Sequence, residues 1–193
     1  MAIEPAFWSQ SVLDLARALI GVTVLIDGVG GMIVETEAYD IDDPAAHSFP
    51  GPTPRNAPMF GPVGHAYVYR IYGLHWCLNL VGGTHHGSAV LIRAIEPTHG
   101  VATMQARRGL VDIRALCSGP GKLAQAMAVT GALTGLPLDR PPFAIAAATA
   151  SHPIAIGPRI GITKAVDHPW RFGLTGSPFL SRPFPKKSIS PPQ

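Results

Sequence analysis

The sequence predicts an α+β fold: one domain built on a curved, mostly antiparallel β-sheet, with helices around it. Three observations carry this. Apolar residues recur at helical spacing near the start, and a glycine-rich turn then separates two strand-like runs. Further strand-like runs follow a long proline-rich gap, and the other helical patterns come after them.

In chain order, residues 8–20 place Val12, Leu13, Ala16, Leu19 and Ile20 on one helical face. Residues 22–26 and 32–39 read as a β-hairpin across the turn Asp27-Gly28-Val29-Gly30-Gly31. Residues 40–64 hold six prolines and three glycines and read as a long loop, a feature that in a compact domain usually carries function. Residues 65–81 and 88–95 are further strands, with Gly73 marking a turn. Residues 98–109 and 122–133 are helix candidates, and 153–181 reads as short strands and turns. The domain is expected over residues 1–182. The proline- and lysine-rich tail, 183–193, is expected to lack structure.

Composition narrows the class. A chain of 193 residues with 47% apolar residues can bury a core without disulfides. Cys77 and Cys117 show no paired spacing and read as free thiols of a reducing compartment. No apolar run of about 18 residues offers a membrane span. No basic region followed by an apolar stretch offers a secretory signal. A cytoplasmic protein, within the nucleoid if prokaryotic, is expected. Charge is unevenly spread: residues 1–43 carry eight acids and one base, whereas the remainder carries fourteen bases and four acids. Eleven of the fifteen bases are arginine, the better fork for phosphate. A face built from the later part suits a polyanion such as nucleic acid.

All four tyrosines, Tyr39, Tyr67, Tyr69 and Tyr72, fall within 34 residues, directly after the acids Glu35 and Glu37. Rings stack on flat ligands, and a carboxylate can take a proton from water. Period-two alternation puts Glu35, Glu37 and Tyr39 on one strand face. Other site types fail on spacing. Gly119-Pro-Gly-Lys122 lacks the upstream glycine and the following Ser or Thr of a Walker loop. His85-His86 lacks zinc-site spacing, and no Gly-x-Ser-x-Gly elbow occurs. Neither a metal nor an organic cofactor is expected.

An ordered series of blocks then stands out. It runs through Val34-Glu-Thr-Glu-Ala-Tyr39, Ala45-Ala-His-Ser48, Thr53-Pro-Arg-Asn56 with Met59-Phe60, Tyr67-Val-Tyr69, Ile71-Tyr-Gly73 and Asn79. It continues through Leu91-Ile-Arg-Ala-Ile-Glu-Pro97, Leu116-Cys-Ser-Gly-Pro-Gly-Lys122, Arg159-Ile-Gly-Ile162, Pro169-Trp-Arg-Phe172 and Gly176-Ser-Pro178. This series closely resembles the alkyladenine (3-methyladenine) DNA glycosylase family of the mammalian and bacterial type. The resemblance covers about residues 10–181 and is densest between 33 and 97. It implies a monofunctional, monomeric enzyme acting on double-stranded DNA that contains damaged purines. Such an enzyme extrudes an alkylated or deaminated purine and hydrolyses its N-glycosidic bond. It leaves an abasic site for base excision repair.

Residue by residue, the resemblance implies Glu37 as the general base that deprotonates water, with Arg93 holding that water and carboxylate. It implies Tyr39, His47 and Tyr69 around the extruded base, and Asn79 crowding the amino group of normal guanine. Tyr72 would fill the gap left in the duplex. Arg55 and Lys122 are read as phosphate contacts, and Glu35 as a structural partner of the site. Two other readings keep the same residues: a catalytically silent binder of damaged DNA, and a nucleoside or glycoside hydrolase using both acids. The second is disfavoured because residues i and i+2 of one strand point the same way and would not flank a bond.

Overall fold

The computed structural model describes residues 3–185. The chain enters through a 3-10 turn (Pro5–Ser9) and helix α1 (Val12–Ala18). Ser11 caps α1 by accepting the Asp14 N–H at 3.2 Å, and Val12, Leu15 and Ala16 are buried. The helix stops short of the expected Ile20, just ahead of Gly21, which has φ +91°. Strands β1 (Thr23–Ile26) and β2 (Val29–Tyr39) follow, joined through Asp27 and Gly28, both at positive φ.

Here the structure corrects the sequence reading. Gly30 and Gly31 lie inside β2 and not in the turn. A Cβ on Gly30 would sit 2.0 Å from the Val24 carbonyl oxygen, and one on Gly31 would sit 1.9 Å from that of Glu96. The glycines serve close approach of neighbouring backbones.

The remaining strands are β3 (His65–Ile71), β4 (His75–Val81), β5 (Ala89–His99), β6 (Phe143–Ala146), β7 (Ile154–Gly157) and β8 (Arg171–Leu174). With helices α2 (Val101–Arg108), α3 (Ile113–Leu116) and α4 (Pro120–Ala126) they complete an α+β arrangement on a curled antiparallel sheet. The main strand order is β3-β4-β5-β2-β1-β6. Opposite β5, β2 changes partner along its length: Val29 to Met32 pair with β1, and Glu35 to Glu37 pair with β8.

The helix expected over 122–133 is also corrected. α4 starts at Pro120 and ends at Ala126, Ala128 takes φ +55°, and Gly131–Leu133 forms a separate 3-10 turn. α3 and β6, each four residues long, carry too short a pattern to be read from sequence. Residues 40–64 form the expected loop, with one 3-10 turn (Ala57–Phe60). Buried Asn56 ties it together: its side-chain amide donates to the carbonyls of His47 (2.7 Å) and Gly51 (3.0 Å), and its oxygen accepts from the Thr53 N–H. Residues 186–193, most of the expected unstructured tail, lie outside the described residues.

The sheet has two chemically different faces. Even-numbered residues, among them Ala38, Ala66, Val68, Leu78, Leu80, Val90, Ile92 and Phe172, join the main core with Leu15, Leu19 and Leu123 of the helices. Thr36 points the same way and donates to the Ala16 carbonyl of α1 at 2.8 Å. From Glu35 onward in β2, and in β3 and β4, odd-numbered residues turn to the other face, where the acids and three of the tyrosines stand, whereas Ile33 and Ile95, before the register shifts, join the core.

Candidate active site

One row of paired positions crosses five strands: Tyr67, Asn79, Leu91, Glu37 and Arg171. Two residues along each strand lie Tyr69, Cys77, Arg93, Glu35 and Tyr39, on the same face by alternation. Most of the residues singled out from the sequence therefore converge, because four strands present one parity to one side.

Glu37 is fully buried. Its Oε1 accepts the Ile160 N–H at 2.8 Å and lies 3.2 Å from Nη1 of Arg93. Its Oε2 accepts the Tyr39 hydroxyl at 2.8 Å. A carboxylate offers about four acceptor positions, so Oε2 keeps capacity for one more donor. Burial pushes the Glu37 carboxyl up from its ordinary range, against the lowering pull of Arg93, the Ile160 N–H and the Tyr39 hydroxyl.

Glu35 is buried as deeply but differently used. Its Oε1 accepts from Nε of Arg93 (3.0 Å), Nε of Arg171 (2.7 Å) and Oγ of Ser181 (2.7 Å). Its Oε2 accepts the Ser181 N–H at 2.6 Å. Glu35 thus accepts four protein donors where Glu37 accepts three, a pattern that suits a structural partner better than a second acid of a two-carboxylate mechanism.

The aromatic part lies beside the acids. The His47 and Tyr69 rings meet edge to face with centroids 4.3 Å apart, and Tyr67 stacks with Tyr69 at 5.7 Å. His47 Nδ1 and the Tyr67 hydroxyl are 3.0 Å apart. Burial, aided by the charge of Arg55, holds the His47 ring below its ordinary pKa, which favours the neutral imidazole. Burial likewise pushes Tyr67 up to about 12, so its phenol stays protonated. Buried Asn79 donates to the Tyr67 carbonyl at 3.0 Å.

Four partner residues carry no assignment from the sequence: Asp43, Arg159, Arg171 and Ser181. Buried Arg159 pairs with buried Asp43 and donates to the Ala38 carbonyl at 3.0 Å. Its guanidinium carbon lies 4.6 Å from the Tyr39 ring centroid and 5.2 Å from that of Trp170. One face of Tyr39 is thereby occupied. Arg171 and Ser181 were missed as partners of Glu35. Arg159 and Arg171 each stand in a motif block, which is the signal that could have marked them.

Tyr72, Arg55 and Lys122 lie apart from this cluster. Tyr72 sits at the tip of the β3–β4 hairpin, past the strand end, with φ +51° and 83% exposure. Leu74 beside it is 70% exposed. Arg55 is exposed and donates to the Arg70 carbonyl of β3 at 3.1 Å. Lys122 is exposed on α4, whose Gly121 packs against His75 at the base of the hairpin. Both cations thus flank the strand pair that carries Tyr72.

A buried carboxylate with a spare acceptor position, set beside a nest of rings and a hairpin flanked by two exposed cations, suits a hydrolase that works on a nucleobase. Comparison with known proteins gives the same class. The methylpurine-DNA glycosylase family model matches residues 6–178. A protein of Bradyrhizobium diazoefficiens is 60% identical over 185 residues, spanning 95% of this chain and 92% of its own length. One of Rhodopseudomonas palustris is 62% identical, spanning 93% and 88%, and one of Nitrosospira multiformis is 59% identical, spanning 94% and 95%. All three carry the provisional name 3-methyladenine DNA glycosylase. The chain belongs to the methylpurine-DNA glycosylase family. It is a DNA glycosylase of base excision repair, a hydrolase of N-glycosyl bonds. Among the described residues, no helix is long and apolar enough to cross a membrane.

The two acids should separate in stability. The folded state raises the Glu37 pKa above the ordinary 4.5, so it binds that proton more tightly than the unfolded chain does. This contribution is present below the unfolded pKa and is lost as pH rises through the folded one. Glu37→Gln should therefore fold at neutral pH with stability equal to or above that of the wild type. Glu35→Gln leaves two buried arginines short of a counter-charge and should cost about 3–5 kcal/mol. Urea denaturation of both variants at pH 7.5 checks the contrast.

Proposed function

We propose that this glycosylase is monofunctional and extrudes alkylated or deaminated purines from duplex DNA, with Glu37 as the general base. It acts as a monomer on DNA in the cytoplasm, without a metal or organic cofactor. The observation that carries the reading is the hydrogen-bonding state of Glu37: buried, oriented on both oxygens, and still able to accept one donor on Oε2. A water in that position gives its proton to Glu37 and attacks C1′ as the base departs. Arg93 orients the carboxylate and, with it, stabilises the charges that develop.

A purine alkylated at N3 or N7 is cationic, so its glycosidic bond is already weak and no general acid is needed to expel it. Tyr39 stacks on the extruded base with the face that Arg159 leaves open, while Tyr69 and His47 close the other side. Each base–ring stack contributes about 1–3 kcal/mol, and a cationic base gains further from an electron-rich ring. Asn79, fixed through the Tyr67 carbonyl, crowds the amino group of normal guanine. Extrusion costs a few kcal/mol, which Tyr72 offsets by filling the vacated site. Its exposure at a hairpin tip suits that task, and the exposed Arg55 and Lys122 hold the flanking phosphates.

Replacing Glu37 by Gln should lower single-turnover base release by about 10²–10⁴-fold, while damaged DNA remains bound. Undiminished release from Glu37→Gln would remove the base from that position. The wild-type rate should fall as pH drops through the raised Glu37 pKa, because only the carboxylate accepts a proton.

Tyr72→Ala should weaken the equilibrium favouring the extruded base, read with a fluorescent damaged base. The salt dependence of binding should stay nearly unchanged, since Tyr72 neutralises no phosphate. Arg55→Ala or Lys122→Ala should instead reduce the salt slope by about one contact each.

A further inference from the structure

We propose that Ser181 is a positioning residue for Glu37, acting through Glu35 and Arg93; this rests on the reading of Glu37 as the base. Ser181 lies beyond residue 178, where the family match ends, and in a segment with no regular structure. Yet it makes three contacts with the buried charges. Its N–H donates to Glu35 Oε2 at 2.6 Å, and its Oγ donates to Glu35 Oε1 at 2.7 Å. The same Oγ accepts from Nη2 of Arg93 at 3.3 Å. Arg93 in turn reaches Glu35 with Nε (3.0 Å) and Glu37 with Nη1 (3.2 Å).

The surrounding segment is built to hold this hydroxyl in place. Arg171 donates to the Arg182 carbonyl through Nη2, and the Phe184 ring centroid lies 3.9 Å from the Arg171 guanidinium carbon. The chain from 181 to 184 therefore straps over the arginine that pairs with Glu35.

Glu35 and Glu37 compete for one guanidinium. Each donor that Ser181 gives to Glu35 meets negative charge that Arg93 would otherwise have to meet. With those donors present, Arg93 can divide itself between the two acids. Without the hydroxyl, Glu35 draws Arg93 toward itself and Glu37 loses part of the cation that keeps it ionised. The other groups facing Glu37 stay as they are: Tyr39 on its own strand, Tyr69 of β3, Cys77 of β4, Arg171 opposite it on β8, and Arg159 behind Tyr39.

The test is the pH dependence of single-turnover base release by the full chain from one damaged duplex. Ser181→Ala should keep its plateau rate within about threefold but move the acidic limb upward by about half to one pH unit. Below the wild-type midpoint, release would then be about three- to tenfold slower. Ser181→Thr, which restores the hydroxyl, should return the wild-type profile. Where the alanine variant folds poorly, Ser181→Cys, nearly isosteric and a weak donor, should shift the limb in the same direction. A uniform rate loss at every pH, or an unmoved limb, overturns the role of Ser181 while leaving Glu37 as the base. Full activity in Glu37→Gln, measured alongside, overturns the base assignment itself.

Discussion

Arg93 binds two carboxylates that stand two residues apart on one strand. Through Nε it answers Glu35, and through Nη1 it answers Glu37. All three side chains are buried, where an uncompensated charge is costly. Glu35 adds Arg171 and both donors of Ser181. Glu37 receives weaker compensation, from one shared arginine, one backbone N–H and one phenol. The same strand thus carries a fully satisfied acid and an incompletely satisfied one. The difference lies in the donors around them, since both are glutamates at equal burial.

The sheet makes that difference possible. β2 exchanges β1 for β8 near its middle, and the exchange brings Arg171 into register with Glu37 and Gly173 with Glu35. Gly173 has no side chain to fill the place where the Phe184 ring sits. The turn after β8 then returns Ser181 to the acids. On the opposite edge β5 supplies Arg93, and β4 and β3 supply Asn79, Tyr67 and Tyr69 in the same row pattern. Helices cover one face of the sheet with apolar contacts. The other face, around Glu35 and Glu37, is left for polar chemistry without opening the core.

What the sequence made legible follows from local physics. Alternation and turn residues located β2 to β5, although β2 begins at Val29 and β5 runs on to His99, past the expected 95, and the spacing of Glu35, Glu37 and Tyr39 put them on one face. Local patterns failed where tertiary contact overrode them. Gly30 and Gly31 look like turn residues until the neighbouring carbonyls are seen. The helix signal over 122–133 runs through Ala128, which takes a left-handed conformation. The donors that distinguish the two acids come from Arg171, Ser181 and Ile160, more than a hundred residues downstream, and no spacing rule reaches them. The resemblance of motif blocks indicated which residues matter without showing what each one touches.

The most direct test of the proposed division between the acids is a carboxyl titration. Glutamate labelled with ¹³C at the side-chain carboxyl should give a Glu37 resonance, identified by its loss in Glu37→Gln, that titrates above the ordinary 4.5. Its midpoint should coincide with the acidic limb of base release. A Glu37 midpoint at or below 4.5 would mean that Arg93, Tyr39 and Ile160 outweigh burial. It would contradict the picture of an incompletely satisfied base.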